Sequence, residues 1–152
     1  MRLSDAYVTI MIYQCGGNGI GRGYITERKE VVVVKVAMIG HKDFPSRSGG
    51  VEVMVGGLAR SLVERGYDVT VYNRGLEKHH NVYDVDGVHA RRVFTLQKPA
   101  LNATIYSFLA TFDALFRGFD VIHYHAIGPS VPLLIAKIFG KHTVCTVHGL
   151  NW

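Results

Sequence analysis

Residues 31–75 read VVVVKVAMIGHKDFPSRSGGVEVMVGGLARSLVERGYDVTVYNRG and place a glycine-rich loop between two apolar segments. Residues 31–39 are almost continuously apolar and β-branched, which is typical of a strand buried on both faces of a parallel sheet. A helix is predicted to start near Gly50, because apolar residues then recur at helical spacing through residue 62. A second apolar strand is predicted at residues 68–72, so the segment indicates a right-handed strand–helix–strand crossover.

The rest of the chain continues this alternation of strands and helices. Residues 82–93 predict a β-hairpin around Asp86-Gly87, because this dipeptide favours a tight two-residue turn. The order as a whole predicts an α/β fold, with a Rossmann-like, mainly parallel sheet and helices on both faces. The further predicted elements are a helix over residues 101–116, a strand over 119–124, a helix over 131–139 and a strand over 142–147.

The predicted helix at residues 101–116 carries a stripe of large apolar side chains. We expect this stripe to pack on the sheet, because the opposite side of the helix lacks the Lys and Arg residues of a helix that lies on a membrane. Contact of part of the stripe with a membrane is the alternative. The stripe consists of Leu101, Ile105, Phe108, Leu109, Phe112, Leu115 and Phe116.

Residues 1–30 do not share this pattern. They are predicted to be a flexible extension, or to lie upstream of the natural start, although residues 8–13 are compatible with a short strand. The glycines of residues 15–23, CGGNGIGRG, lack the spacing of a phosphate-binding loop, and no amphipathic helix follows them. The domain itself is therefore expected to cover residues 31–152.

The composition indicates an ordinary globular protein. Of 152 residues, 48% are hydrophobic and 19% are charged, which suits one domain with its own core. The basic residues behind the net charge of +5 are spread along the chain without interleaved aromatic residues, which argues against a nucleic-acid-binding surface. No apolar run has the roughly 18–20 residues of a membrane-spanning helix. We expect a cytoplasmic protein and leave open its attachment to the inner face of the membrane.

Cysteine and histidine usage gives no sign of a metal site. Cys15 and Cys145 lie far apart, and neither CxxC nor a His-rich ligand spacing occurs. Cys145 is expected to be a buried thiol in an apolar strand. The pair His79-His80 lies in a polar loop and is expected to be solvated.

Polar residues and glycines follow the carboxyl ends of the predicted parallel strands, where α/β sheets bind their ligands. Any one of these histidines alone would more often be structural, but together they predict a binding crevice at this edge. The segments concerned are the loop of residues 40–50, Asn73-Arg74, residues 123–128 and His148-Gly149.

Three short motifs resemble those of a known enzyme family. They are Gly-Gly-x-Glu at residues 49–52, Asp-x-x-His-x-His at residues 120–125 and Thr-x-His-Gly at residues 146–149. Each alone is weakly specific, but all three in this order are fairly specific. With the sequence around them, residues 34–152 resemble the N-terminal half of family-4 glycosyltransferases of the GT-B fold, within a bacterial rhamnosyltransferase-like branch.

The resemblance implies a transfer of a sugar from a nucleotide donor to a hydroxyl group, with retained configuration, in glycan or polysaccharide biosynthesis. The partners would be the nucleotide sugar, as a co-substrate without a further cofactor or metal, and a glycan or lipid-linked acceptor. His148 would be the catalytic residue beside the donor sugar. The substrate-binding residues would be Gly49, Gly50, Glu52, His125 and Gly149.

The glycine pair also has a physical reason that does not depend on the resemblance. Without side chains, Gly49 and Gly50 let a diphosphate approach the backbone, and the N–H groups at a helix start attract an anion. Glu52 fits the motif, but a carboxylate in the first turn also stabilises a helix by itself. Both roles of Glu52 therefore stay open.

The enzymes of the family carry a second Rossmann-like domain, which grips the nucleotide sugar with a pair of glutamates. Nothing in this sequence resembles that domain, so the chain is expected to be a truncated form that is inactive alone. Two alternatives are left open. One is another nucleotide-dependent Rossmann enzyme, against which the lack of GxGxxG argues, and the other is a non-catalytic binding remnant.

Overall fold

The computed structural model describes residues 2–16, 19–75, 82–95 and 99–148. The chain divides into two compact units, residues 1–33 and residues 34–152. The first unit is an antiparallel pair of long strands, β1 (Arg2–Gly16) and β2 (Gly19–Val33). The strand predicted at residues 8–13 is present and longer than expected, whereas the flexibility of this segment stays a prediction.

The second unit contains, in its described residues, β3 (Lys35–Ile39), α1 (Gly50–Glu64), β4 (Asp68–Gly75), β5 (Val82–Val85), β6 (Val88–Phe94), α2 (Pro99–Phe116), β7 (Val121–His125), a 3₁₀ turn (Gly128–Ser130), α3 (Leu133–Ile138) and β8 (His142–Thr146). The strands form one sheet in the order β5-β6-β4-β3-β7-β8. Neighbours are parallel except β5 and β6, which form the predicted hairpin. The Rossmann-like α/β prediction is confirmed.

The helices cover both faces of this sheet, as predicted. Along β3, Val36 and Met38 belong to one cluster of buried residues and Ala37 and Ile39 to another, because successive strand residues point to opposite faces. Helix α1 packs on the side of Val36 and Met38, which we call the α1 face. Helices α2 and α3 pack on the opposite face.

The central strand is shorter than predicted. Residues 31–33 belong to β2, and β3 begins only at Lys35. Its parallel pairing starts there too, with Lys35 opposite Asp68 and Val36 opposite Val121. The Lys35 N–H donates to Asp120 Oδ2 at 2.9 Å. The run of valines is thus divided between two strands because the neighbours that bury a central strand begin at residue 35.

Helix α1 is followed by a glycine that ends it. Gly66 has a φ of 86°, a left-handed conformation that glycine adopts without strain. The Gly66 N–H donates to the Val63 carbonyl at 2.9 Å, and the Tyr67 N–H donates to the Leu62 carbonyl at 3.1 Å. These two bonds define a Schellman motif, which directs the chain into β4.

The apolar stripe of α2 packs on the core only in part, because Leu115 packs against the cluster of buried residues whereas Leu109, Phe112 and Phe116 are exposed. The buried side of the helix carries Tyr106 and small residues such as Ala110 and Ala114, whereas Phe112 and Phe116 of the apolar stripe are 41% and 88% exposed. On this buried side, Tyr106 and the two alanines pack in one cluster with Tyr72 and Tyr124 of the sheet. The Tyr106 hydroxyl donates to the Tyr72 carbonyl, and the Thr111 hydroxyl lies 2.9 Å from the Tyr124 hydroxyl.

Two expectations from the sequence concerned the burial of Cys145 and the presence of membrane-spanning helices. Cys145 is exposed rather than buried, because β8 is an edge strand with a neighbour on one side only. Among the helices in the described ranges, none is both long enough and apolar enough to cross a membrane.

Candidate functional site

Polar side chains converge on the α1 face where β3, β4 and β7 end. Strand alternation places Asn73 on this face with Val71 of β4, and it places His123 and His125 there with Val121 of β7. Helix α1 starts at the same edge, because it follows β3 in a parallel crossover. The carboxyl edge that the sequence predicted as a crevice therefore gathers these residues.

His41, the second residue after β3, is buried at the centre of this edge, with 1% of its surface exposed. Its Nε2 lies 2.9 Å from Asn73 Oδ1. The Asn73 amide nitrogen donates to the Phe44 carbonyl and to the Tyr83 hydroxyl, each at 2.7 Å, and the Tyr83 hydroxyl donates to the same carbonyl at 2.6 Å. The ring of His41 is thus held by Asn73, and Asn73 is in turn fixed by Phe44 and Tyr83 from two other segments.

This network assigns the proton of His41. A carbonyl only accepts, so the Asn73 amide nitrogen faces the Phe44 carbonyl and Asn73 Oδ1 faces the imidazole. Since Oδ1 also only accepts, His41 Nε2 carries the hydrogen. Burial lowers the pKa of His41 to about 4, although the bond to Asn73 opposes this shift, so the ring is neutral near pH 7. Its Nδ1 is then an acceptor, and it has no hydrogen-bond partner among the described residues.

Three further histidines lie side by side at the ends of β7 and β8. The ring centres of His123 and His125 are 4.1 Å apart, and His125 Nδ1 lies 3.2 Å from His148 Nε2. Burial, and then the neighbouring His123, His41 and His148, lower the pKa of His125 to about 3. Burial also lowers the pKa of His123. At neutral pH, His123 and His125 therefore offer hydrogen bonds without charge.

The backbone of Gly40 lies directly against that of His125. Gly40 has a φ of 126°, and a Cβ at this position would come 2.1 Å from the His125 carbonyl oxygen. Only glycine fits, and this close approach holds the following residue, His41, beside β7. Arg74 Nη2 donates to the Gly40 carbonyl at 3.2 Å, and its guanidinium lies 5.2 Å from the ring centre of Tyr106.

At the start of α1, the space beside Gly50 is free and the space beside Gly49 is occupied. A Cβ on Gly50 would meet nothing within 4 Å, whereas a Cβ on Gly49 would come 2.5 Å from Glu52 Oε2. Glu52 is buried, and its Oε1 accepts from the Lys42 N–H at 3.3 Å. The Glu52 carboxylate therefore ties the loop after β3 to the start of α1, and Gly50 leaves free space in front of the helix.

A groove of about 600 Å³ adjoins this helix start. It runs between residues 44–47 and α1, and its lining includes Phe44, Glu52 and Arg60. Arg60 is fixed by Asp86 at 2.7 Å and lies 5.5 Å from the ring centre of Phe44. The volume falls within the range of small-molecule sites in proteins.

The structure brings together most of the residues that the sequence singled out. Gly49, Gly50 and Glu52 form the start of α1, and His125 lies next to His148. Gly149 lies outside the described residues, and so does the His79-His80 pair. Within the described ranges, no group of three or more His, Cys, Asp or Glu side chains could hold a metal ion.

His41 and Tyr83 were not singled out from the sequence. A histidine immediately after a buried strand was a signal for His41, since the loop of residues 40–50 was already placed at the crevice. Tyr83, which supports Asn73 and is not proposed to contact a ligand, carried no such signal, because it reaches Asn73 only through the pairing of β5 with β6 and of β6 with β4. Residue type and spacing alone therefore could not identify it.

The model of Glycosyltransferase Family 4 matches residues 48–152. The chain belongs to this family. The match includes the glycine pair at the start of α1, the two histidines of β7 and His148 after β8, which belong to the site described above. No curated protein matches the chain. The narrower assignment to a rhamnosyltransferase-like branch stays a prediction.

One similar solved structure is sucrose-phosphate synthase from Thermosynechococcus elongatus, with a TM-score of 0.62 and 16% sequence identity. The similarity covers 77% of this chain and 33% of the synthase, so the chain spans about a third of the length of that protein. At this identity the likeness shows the fold, which is the Rossmann-like fold of a GT-B glycosyltransferase domain.

Proposed function

We propose that this family-4 domain takes part in the transfer of a sugar from a nucleotide-sugar donor to a hydroxyl group of a glycan or lipid-linked acceptor. The observation that carries the proposal is the row of His123, His125 and His148 at the same sheet edge as the glycine-rich start of α1. Helix-start N–H groups suit a diphosphate, and imidazoles suit sugar hydroxyls. Retention of configuration and a role in polysaccharide biosynthesis are parts of this proposal.

In the proposed reaction, the bond between the anomeric carbon and the diphosphate oxygen breaks, and the diphosphate leaves with the electron pair. The acceptor oxygen forms the new bond on the same face of the sugar, and its proton passes to the departing diphosphate. The N–H groups at the start of α1 stabilise the negative charge that develops on the leaving group. The proposal assigns no step to a metal ion or a further cofactor.

The proposed roles of the residues follow from their contacts and from the free space beside Gly50. Gly50 leaves room for the diphosphate, and Gly49 accommodates the Glu52 carboxylate that braces the loop. His148, which follows β8, contacts the donor sugar, and His125 orients the His148 ring through the 3.2 Å contact between their nitrogens. Gly149 is proposed to leave space for the sugar beside His148.

A second Rossmann-like domain is part of the proposal, because the reaction needs donor and acceptor held together across a cleft. The present chain spans about a third of the synthase that shares its fold. We propose that residues 34–152 hold the acceptor and contact the donor from one side. Residues 1–152 alone should then bind substrates weakly and transfer no sugar.

The proposal is tested by titrating the ¹⁵N-labelled chain with UDP-glucose, UDP-galactose, GDP-mannose and dTDP-rhamnose in NMR spectra. We expect shifts at the amides of Gly49 and Gly50 and at the ring of His148. Gly50→Ala fills the open space and should weaken binding about tenfold or more. Ser61→Ala is the control, because Ser61 is an exposed residue of the same helix and does not line the groove beside the helix start. Equal binding by both variants would contradict the proposal.

We also propose that the exposed apolar side of α2 contacts a membrane surface. Leu109, Phe112 and Phe116 are 42%, 41% and 88% exposed there, and the chain has a net charge of +5. The exposed apolar side chains favour contact with a bilayer, and because α2 itself carries no Lys or Arg, the attraction to anionic lipids would come from basic residues elsewhere in the chain. Phe116→Ser should reduce co-sedimentation with phosphatidylglycerol vesicles. Val82→Ser is the control, because Val82 is also exposed but lies on the edge strand β5, and it should leave co-sedimentation unchanged. Wild-type protein that stays in the supernatant would exclude this contact.

A further inference from the structure

We propose that His41 is a substrate-binding residue of this site, whose Nδ1, together with His125 Nε2, holds a hydroxyl group of the bound sugar. The inference rests on the proposed function and adds to it a residue from the loop after β3. Nothing in the three motifs at residues 49–52, 120–125 and 146–149 points to His41.

The position of His41 supports a role in binding. Its neighbour Gly40 packs on the backbone of His125, and Asn73 holds its ring on the α1 face, where His125 also points. Glu52, at the start of α1, accepts from the backbone of Lys42, the next residue. His41 thus lies between the ends of β4 and β7 and close to the helix start.

Both candidate ligand atoms are buried nitrogens without a partner. His41 Nδ1 and His125 Nε2 have no hydrogen-bond partner among the described residues. A buried polar atom that stays unpaired costs free energy, so proteins rarely keep two of them close together without a use. Gly40, the residue before His41, lies against the backbone of His125, and this contact brings the two histidines to the same part of the sheet edge.

The chemistry of Nδ1 selects the kind of ligand. The bond to Asn73 fixes the hydrogen on Nε2, so Nδ1 presents a lone pair and cannot donate. A lone pair repels phosphate oxygens and accepts from O–H groups. A metal ion would need further ligands, and no group of three or more suitable side chains occurs in the described part of the chain. A sugar hydroxyl, which both donates and accepts, fits the two histidines.

The test compares His41→Gln with Tyr83→Phe in the 152-residue chain. Glutamine keeps an amide donor toward Asn73 but removes the acceptor at Nδ1. Tyr83→Phe weakens the same network and leaves Nδ1 in place, because Asn73 still bonds to both His41 and Phe44. The probes are the four nucleotide sugars named above and the methyl α-glycosides of the same sugars.

We expect the ¹⁵N resonance of His41 Nδ1 to move when a probe that supplies the right hydroxyl is added. His41→Gln should weaken binding of that probe about tenfold, the effect of one lost hydrogen bond at the upper end of the usual range. Tyr83→Phe should bind it as the wild type does. Melting curves of both variants confirm that they are folded.

Three results would overturn the assignment. A probe that shifts the Gly49 and Gly50 amides but leaves His41 Nδ1 unmoved refutes the role of His41 alone. An Nδ1 resonance that is already hydrogen-bonded in the free protein and insensitive to every probe shows a resident water instead. If no probe changes any resonance, the proposed function fails together with this inference.

Discussion

Acid should destabilise the domain of residues 34–152 through His41. The ring is 1% exposed, and burial lowers its pKa to about 4, whereas a histidine in an unfolded chain titrates near 6.5. Between these two values the unfolded chain binds a proton that the folded protein does not. The free energy of unfolding must therefore fall as the pH is lowered through this window.

The size of the effect follows from the two pKa values. At about pH 7.5 both states are almost unprotonated at this residue, and the contribution is close to zero. At about pH 5 the unfolded state is favoured by roughly 2 kcal/mol, and below about pH 4 the loss approaches ~3 kcal/mol. Glu52 and Asp43 raise the pKa of His41 and Arg74 lowers it, but burial is the largest cause.

The assay is urea unfolding of wild type and His41→Gln at several pH values. The variant should be less stable than wild type at about pH 7.5, because a packed ring is lost. Since glutamine does not titrate, the difference should shift by about 2 kcal/mol in favour of the variant at about pH 5. His125 also destabilises the fold in acid, and because burial is the largest cause of its lowered pKa in both proteins, most of this effect cancels in the comparison.

Tyr83→Phe is the control, because it changes the network around His41 and introduces no new titrating group. Its stability should follow the pH dependence of the wild type. A difference between wild type and His41→Gln that stays constant from about pH 7.5 to about pH 5 would refute the reasoning. It would show that His41 is protonated in the fold or exposed to water.

Three other outcomes can be checked directly. Gly40→Ala should destabilise the domain by ~1–3 kcal/mol or more in thermal or urea unfolding. The reason is that the new Cβ would lie 2.1 Å from the His125 carbonyl oxygen, at a residue whose φ is 126°. An unchanged midpoint would mean that the two backbones are farther apart. Deletion of residues 1–30 should leave the melting temperature of the remaining domain unchanged, since the chain divides at residue 33 into separate compact units; a large drop would make the hairpin part of the core. In a two-domain form of the enzyme, His148→Ala should lower kcat about 100-fold with little change in melting temperature, and a variant that is destabilised but keeps its kcat per folded molecule would give His148 a structural role only.

The crossover from β3 through α1 to β4 could be predicted because its signals are local. A β-branched apolar run, a helical repeat and a glycine at the helix end each act within a few residues. The hairpin at Asp86 and Gly87 follows from turn chemistry in the same way. The edge that carries the site follows from the order of these elements, because parallel strands place their carboxyl ends together.

The orientation of α2 could not be predicted, because the helix has large apolar residues on one side and small ones on the other. Which side faces the sheet depends on what the sheet presents, and the side chains of Tyr72 and Tyr124 extend from it to Asp113 and Thr111 of α2. Apolar periodicity alone favours burial of the larger residues. In the tertiary structure the side with Tyr106 and the small residues is buried, and Leu109, Phe112 and Phe116 are exposed.

By itself, the sequence determined the class of fold and the sheet edge at which a ligand would bind. It also placed the glycine pair and three of the site histidines, His123, His125 and His148, there. Only the tertiary structure decided that His41 joins them. Its proton is assigned through Asn73 and the Phe44 carbonyl, and Asn73 lies 32 positions from His41 and 29 from Phe44 in the chain. Hydrogen bonds over such separations depend on which strands are neighbours, and no local pattern of residues encodes that arrangement.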